Sequence, residues 1–166
     1  MIIKITNLSN GVHCFNFDKS VEDLKIDDLY TGSVSVKVTL DKSMHQIILD
    51  TESNAKHKFI CDRCNKESES DITCNFQLVY LFSAKKEQSD DNNVKFLSPD
   101  IDKIDISEDL SEYLRLSLPM KNLCSEDCKG LCPNCGTDLN LKKCRCKKSI
   151  DTGVWDALKK LKENSN

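Results

Sequence analysis

The sequence predicts an α+β protein: a curved antiparallel sheet with a covering helix, then a small Cys-rich, zinc-ribbon-like module and a C-terminal helix. Three observations carry this reading. The first half alternates, as in SVSVKVTL, where Val34, Val36, Val38 and Leu40 interleave with Ser35, Lys37 and Thr39, the pattern of a strand with one wet face. Helical spacing follows at Ile106, Leu110, Tyr113 and Leu114. Six of the ten cysteines then crowd into Cys124 to Cys146, CSEDCKGLCPNCGTDLNLKKCRC. That stretch is too rich in charged and turn residues to build an apolar core of its own.

In chain order, Ile2, Ile3 and Ile5 open a short apolar strand, and Val12 to Phe17 form a second after the turn at Asn10-Gly11. Ser20 to Asp23 can cap a short helical turn running through Leu24. Met44 to Asp50 and Ala55 to Ile60 continue the strand series. From Ile72 the alternation is long, with Cys74, Phe76, Leu78, Tyr80 and Phe82 all pointing one way. Several strands joined by short connections imply an antiparallel sheet, strongly curved or partly closed. Residues 83–104, with SAKKEQSDDNN at their centre, read as a mobile surface loop. Asp105 to Glu108 has the form of a capping box for a helix at about 105–118 that ends at Pro119. Asp151 is a candidate cap for a last helix with Val154, Trp155, Leu158 and Leu161 on one face. The chain thus divides into a sheet body, 1–118, and a Cys-rich module with its terminal helix, 119–166.

Composition narrows the function classes. Aromatic residues are only 6% of the 166, so the core should rest on Ile, Leu and Val. The net charge of −3 hides an asymmetry: ten Lys/Arg face six Asp/Glu from Pro119 onward, a balance of +4 that leaves −7 on residues 1–118. MIIKITNLSNG lacks the apolar core of a secretory signal, and no stretch approaches the roughly 20 apolar residues of a membrane span. The expectation is a cytoplasmic protein without membrane contact, a compartment that keeps thiols reduced and favours metal over disulfides for the cysteines.

Zinc takes four ligands in a tetrahedron, and a CxxC pair on a tight turn supplies two of them from one loop. Cys132-Pro-Asn-Cys135-Gly136 is such a loop, and Cys144-Arg-Cys146, eight residues on, can supply the other two. Upstream, Cys61-Asp-Arg-Cys64 lies between two strands, at the tip of an expected hairpin; Cys124 and Cys128 are the nearest partners for a second site that would pin the module to the body. The spacing also permits another pairing, in which Cys124, Cys128, Cys132 and Cys135 form one site and Cys144 and Cys146 join the hairpin pair. Four thiolates leave no open position for water activation, so such zinc ions, one or two, are structural. Cys14 and Cys74 fall inside strands and read as small buried apolar residues. CxxC is also a dithiol redox motif, but that chemistry uses a cysteine at a helix N-terminus, whereas Cys61 follows a strand.

Other chemistry is sparse. His13, His45 and His57 lie in strand-like segments without a motif and read as partly exposed sheet residues; no hydrolase, metalloprotease or phosphate-loop motif is present. No catalytic residue is assigned, no small-molecule substrate is expected, and the chain reads as a non-enzyme. Lys142, Lys143, Arg145, Lys147 and Lys148 place five positive charges in seven residues, with Lys159 and Lys160 close behind. This basic run can contact phosphates or simply offset the −2 of a tetrathiolate zinc.

The motif order resembles the YceD family, the large ribosomal RNA subunit accumulation proteins. The resemblance rests on Cys61, Arg63 and Cys64 after a strand; on Leu116, Leu118 and Pro119; on Cys124, Cys128, Lys129, Gly130, Leu131, Cys132, Pro133, Cys135, Gly136, Leu139 and Asn140; and on Cys144 and Cys146. It departs from the family where Asp151-Thr152-Gly153 stands in place of Asp-Pro-Arg. The resemblance implies a bacterial cytoplasmic, non-enzymatic factor in ribosome biogenesis, connected to accumulation or processing of large-subunit ribosomal RNA, with that RNA or a ribosomal protein as partner. Two rival readings remain: a CxxC thiol redox protein, and a protein-binding zinc module that touches no RNA.

Overall fold

The computed structural model describes residues 1–24, 26, 28–83 and 91–146. The elements are strands β1 (Ile2–Lys4), β2 (Gly11–Ser20), β3 (Tyr30–Lys42), β4 (Gln46–Ile60), β5 (Glu67–Phe82), β6 (Val94–Leu97) and β7 (Lys103–Asp105), with a short helix α1 (Val21–Leu24) between β2 and β3 and α2 (Ser107–Leu116) after β7. Five strands make an open curved sheet in the order β2-β3-β4-β5-β6, and β1 pairs with β7 in a separate two-stranded sheet. The fold is mostly sheet with few helices.

The long alternations place side chains as period two requires. Val34, Val36, Val38 and Leu40 are all buried, as are Cys74, Phe76, Leu78 and Tyr80 across the register Val38↔Thr51↔Phe76. Helix α2 adds Leu110 and Leu114 to the same core. Tyr113 stacks on Phe76 with ring centroids 4.3 Å apart, and the Tyr30 hydroxyl donates to the Leu114 carbonyl at 2.6 Å. At α1, the Ser20 hydroxyl accepts the Asp23 amide at 3.1 Å, the expected cap.

The structure departs from the sequence reading in six places. First, β4 is one 15-residue strand rather than two, because Thr51 and Ser53 sit on its inward face; the buried Ser53 hydroxyl is satisfied by the Cys74 carbonyl at 3.2 Å. Second, the interval 83–104 is not all loop. It contains β6 and β7, anchored by Lys95 pairing with the buried carboxylate of Asp109 and by Asn93 bonding the Tyr113 hydroxyl. Residues 84–90 lie outside the described residues. Third, the sheet is not wholly antiparallel. Strand β6 runs parallel to β5, with Val79↔Val94 in register; a parallel pair needs a connection that returns the chain, and only eleven residues separate Phe82 from Val94.

Fourth, the capping box is not formed: Asp105 stands one position before the cap Ile106, and its carboxylate accepts the Ser107 amide at 3.0 Å. Fifth, Cys14 is exposed, because it lies on the wet face of edge strand β2, between half-buried His13 and Phe15. Sixth, His57 is buried, stacked on Phe59 at 5.4 Å, and burial lowers its pKa. The expected C-terminal helix at Asp151 lies outside the described residues.

Candidate metal centres

The eight motif cysteines gather into two groups of four. Cys61, Cys64, Cys124 and Cys128 form one, Cys132, Cys135, Cys144 and Cys146 the other, and within each all four Sγ atoms lie within 4.8 Å of one another. This is the first of the two pairings that the spacing permits. Cys61 to Cys128 is 3.8 Å and Cys64 to Cys124 is 3.5 Å; Cys135 to Cys144 is 3.7 Å and Cys144 to Cys132 is 3.4 Å. A tetrahedron with metal–sulfur bonds of about 2.3 Å has edges of about 3.8 Å, so the donor type, number and spacing fit one tetrahedral ion in each group. None of the ten cysteines is in a disulfide.

The two CxxC loops are built alike, a local repeat that the sequence shows only as CDRCN and CPNCG. The Asn65 amide donates to the Cys61 carbonyl at 2.9 Å, and the Gly136 amide to the Cys132 carbonyl at 2.8 Å. The Cys61 amide bonds the Lys66 carbonyl at 2.9 Å, and the Cys132 amide the Thr137 carbonyl at 2.8 Å. Both loops turn on a residue of positive φ, 57° at Asn65 and 69° at Gly136, the conformation that glycine and asparagine tolerate best.

The first group sits at the tip of the β4–β5 hairpin and joins it to the chain after α2. Asp62 and Asn122 exchange bonds: the Asp62 amide donates to the Asn122 carbonyl at 2.9 Å, and the Asn122 amide to the Asp62 carboxylate at 2.7 Å. The Arg63 guanidinium donates to the Cys128 carbonyl at 2.7 Å, and the Leu131 amide returns a bond to the Arg63 carbonyl at 3.0 Å. Gly130 lies hard against this contact: a Cβ there would stand 2.9 Å from the Arg63 carbonyl oxygen, and its φ is +74°. Gly130→Ala should therefore loosen the seam by about 2 kcal/mol or more, since backbone strain adds to a clash with main chain. Urea melts of the metal-loaded protein check it; an unchanged midpoint would show that the seam is not held by this contact.

Asn140 supports the first group. Its side-chain amide reaches the Cys128 sulfur at 3.5 Å and the Asp138 carboxylate at 2.9 Å, while its oxygen accepts the Lys129 amide at 2.8 Å. Such partners orient ligands around a metal. Asn140 and Arg63 are visible in the sequence as motif neighbours, but their role is not. The Asp62–Asn122 pair carries no sequence signal, because its members are 60 residues apart.

Proton affinities divide within each group. Burial works against ionisation of Cys61, yet the backbone amides of Cys124, Cys64 and Arg63 bring it down to about 6. The Thr137 hydroxyl and amide bring Cys135 to about 6. Cys64 gains from the Lys66 amide, but burial and the neighbouring thiols push it up to about 12; Cys144 and Cys135 do the same to Cys146. One thiolate forms readily in each group, and its negative charge opposes the next. A bound cation removes that opposition and holds all four as thiolates. The groups differ in access: Cys61, Cys64 and Cys128 are buried, whereas Cys135 and Cys146 are exposed. Of the basic residues, Lys142, Lys143 and Arg145 are exposed beside the second group; Lys147, Lys148, Lys159 and Lys160 lie outside the described residues.

Comparison with known proteins adds a family to this geometry. Residues 49–162 match the family model described as large ribosomal RNA subunit accumulation protein YceD. The chain belongs to the YceD family. The YceD match spans both cysteine groups and begins within β4. A chloroplastic YCED homolog 1 from Arabidopsis thaliana, described as a large ribosomal RNA subunit accumulation protein, is 25% identical over 162 residues, covering 81% of this chain and 50% of the relative. The Zea mays counterpart is 26% identical over 116 residues, covering 52% of this chain and 39% of the relative. An uncharacterized protein of Mycobacterium leprae is 25% identical over 126 residues, 75% of this chain and 48% of that one. The chain spans about half the length of the curated relatives it matches. No solved structure matches it. The YceD description points to ribosome biogenesis and to no known enzyme, and no helix among the described residues is long and apolar enough to cross a membrane.

Proposed function

We propose that this protein is a non-enzymatic, cytoplasmic factor supporting accumulation or processing of large-subunit ribosomal RNA, in which each four-cysteine group holds one structural zinc ion and the basic ribbon contacts RNA. The single observation that carries it is the closure of two four-thiol groups at tetrahedral spacing in a chain of the YceD family. Zinc is the natural occupant of a closed four-thiolate site, and with every position taken by sulfur it supplies folding energy rather than catalysis. The first group clamps the module to the sheet; the second shapes the ribbon that exposes Lys142, Lys143 and Arg145. Against the redox alternative, Cys61 and Cys64 each lie close to a thiol from the distant loop, Cys128 and Cys124 respectively, so that loop competes with any bond between them. The alternative partner is a ribosomal protein, and its support is charge: residues 1–118 carry −7, which can attract a basic protein.

The test is the salt dependence of binding to large-subunit RNA. Replacing Lys142, Lys143, Arg145, Lys147 and Lys148 by glutamine should shrink the slope of log K against log salt by up to about 3.5, at about 0.7 for each phosphate of a single strand that is no longer neutralised. Unchanged affinity and slope would reject this surface.

A further inference from the structure

The two four-cysteine groups share a geometry but not their surroundings, and the difference has a chemical consequence. In the first, Cys61, Cys64 and Cys128 form a buried cluster with Leu123 and Cys124 packed on it, and the contact between the Cys61 and Cys128 sulfurs is itself buried. The chain after α2 is seated on that group by the Asp62–Asn122 bonds and the Arg63 guanidinium. In the second, Cys135 and Cys146 are exposed and Cys144 is half-buried. Cys132, its one buried member, belongs to neither apolar cluster. The contact between the Cys135 and Cys144 sulfurs is exposed. Pro133 to Gly136 are all exposed, as is every residue from Leu141 to Cys146 except Cys144.

Oxidation of a cysteine needs both negative charge on sulfur and access for the oxidant. Metal ligation holds all eight sulfurs as thiolates, so access is what separates the groups. We infer that the second group is a site of reversible oxidation by hydroperoxides, with Cys135 as the sulfur attacked and Cys144, 3.7 Å away, as the sulfur that resolves it. The Cys135 thiolate attacks one peroxide oxygen; the O–O bond breaks, a sulfenic acid forms, and the departing oxygen takes a proton from water. The Cys144 thiolate then attacks the Cys135 sulfur. An S–S bond forms, the S–O bond breaks, and the hydroxide released is protonated to water. Two electrons pass from the sulfurs to the peroxide. Proximity alone does not select this pair, since the Cys64 and Cys124 sulfurs stand at 3.5 Å; exposure does. A disulfide here leaves the group only Cys132 and Cys146, too few for a tetrahedral zinc. The ribbon bearing Lys142, Lys143 and Arg145 then loses its metal while the clamp on the sheet keeps its own. The further consequence, weaker RNA binding by the oxidised ribbon, rests on the function proposed above.

The experiment treats the full, zinc-loaded chain with hydrogen peroxide, in a Cys14→Ser background that removes the exposed thiol of β2. A chromophoric chelator follows zinc release while peptide mass spectrometry maps thiols and disulfides. One zinc ion per chain should be released as Cys135 joins Cys144, and the thiols of Cys61, Cys64, Cys124 and Cys128 should be lost at least about tenfold more slowly. Dithiothreitol with added zinc should restore both the thiols and the ion. Loss of the first group's thiols at an equal or greater rate, a first disulfide that excludes Cys135, or oxidation that dithiothreitol does not reverse would overturn the assignment. Zinc content before peroxide is added tests the structural-zinc reading separately: fewer than two ions per chain fails that reading, and the order of thiol loss still decides the oxidation site. Affinity for large-subunit RNA, measured on the same samples, should fall as the disulfide forms; a reduced chain that binds no RNA would reject the RNA surface and leave the oxidation site standing.

Discussion

Replacing Cys128 by serine is expected to reduce bound zinc from two ions per chain to one and to release residues 119–146 from the body, with the sheet still folded. The two parts have separate cores. The sheet and α2 share one apolar cluster, whereas the hairpin tip and the following loop meet in a second, made only of Cys61, Cys64 and Cys128 with Leu123 and Cys124 packed on it. Thiols make up four of its five side chains, so removing the metal leaves little apolar burial behind. Structural zinc contributes about 10–16 kcal/mol at neutral pH in small domains. The Asp62–Asn122 and Arg63–Cys128 bonds, at about 1 kcal/mol each net, cannot replace it. Hydrogen exchange should accelerate throughout 119–146 and stay slow in β3, β4 and β5. Retention of two zinc ions, or unchanged exchange in the loop, would show that Cys128 is not a ligand.

Truncating Leu114 to alanine should destabilise the body by about 2–5 kcal/mol, the range for emptying a fully buried leucine site. Leu114 is 0% exposed within the cluster that joins α2 to the sheet. Its carbonyl, which holds the Tyr30 hydroxyl, is backbone and survives the change. The loss is therefore packing alone. Leu116, two residues on and 79% exposed, provides the contrast: Leu116→Ala should stay within about 0.5 kcal/mol, as exposed substitutions do. Urea denaturation of both variants decides the matter; equal midpoints would mean that α2 does not seal the core.

Much of the body was legible because period-two and period-3.6 patterns record burial directly. The inward face of β5 and the core positions of α2 could be read residue by residue. The errors fall where burial and polarity part company. Thr51 and Ser53 interrupt the apolar pattern of β4 while facing inward, because a hydroxyl can be satisfied by a neighbouring carbonyl. Strands β6 and β7 are too short to show a period, and the anchors that hold the first of them, Asp109 and Tyr113, lie on α2. Cys14 stayed outside because an edge strand turns one face to water whatever the residue.

By itself the sequence determined the chemistry available: eight cysteines in CxxC, Cx3C and CxC spacings, a basic ribbon after them, and a motif order specific enough for the YceD family. Spacing along the chain permits two pairings of the thiols, since each loop can supply two ligands to more than one centre. Tertiary structure decided between them. The β4–β5 hairpin carries Cys61 and Cys64 to the end of the sheet where the chain leaving α2 must pass, and the Arg63–Cys128 and Asp62–Asn122 bonds seat that chain against the hairpin. Local sequence has no term for such contacts between residues about 60 apart.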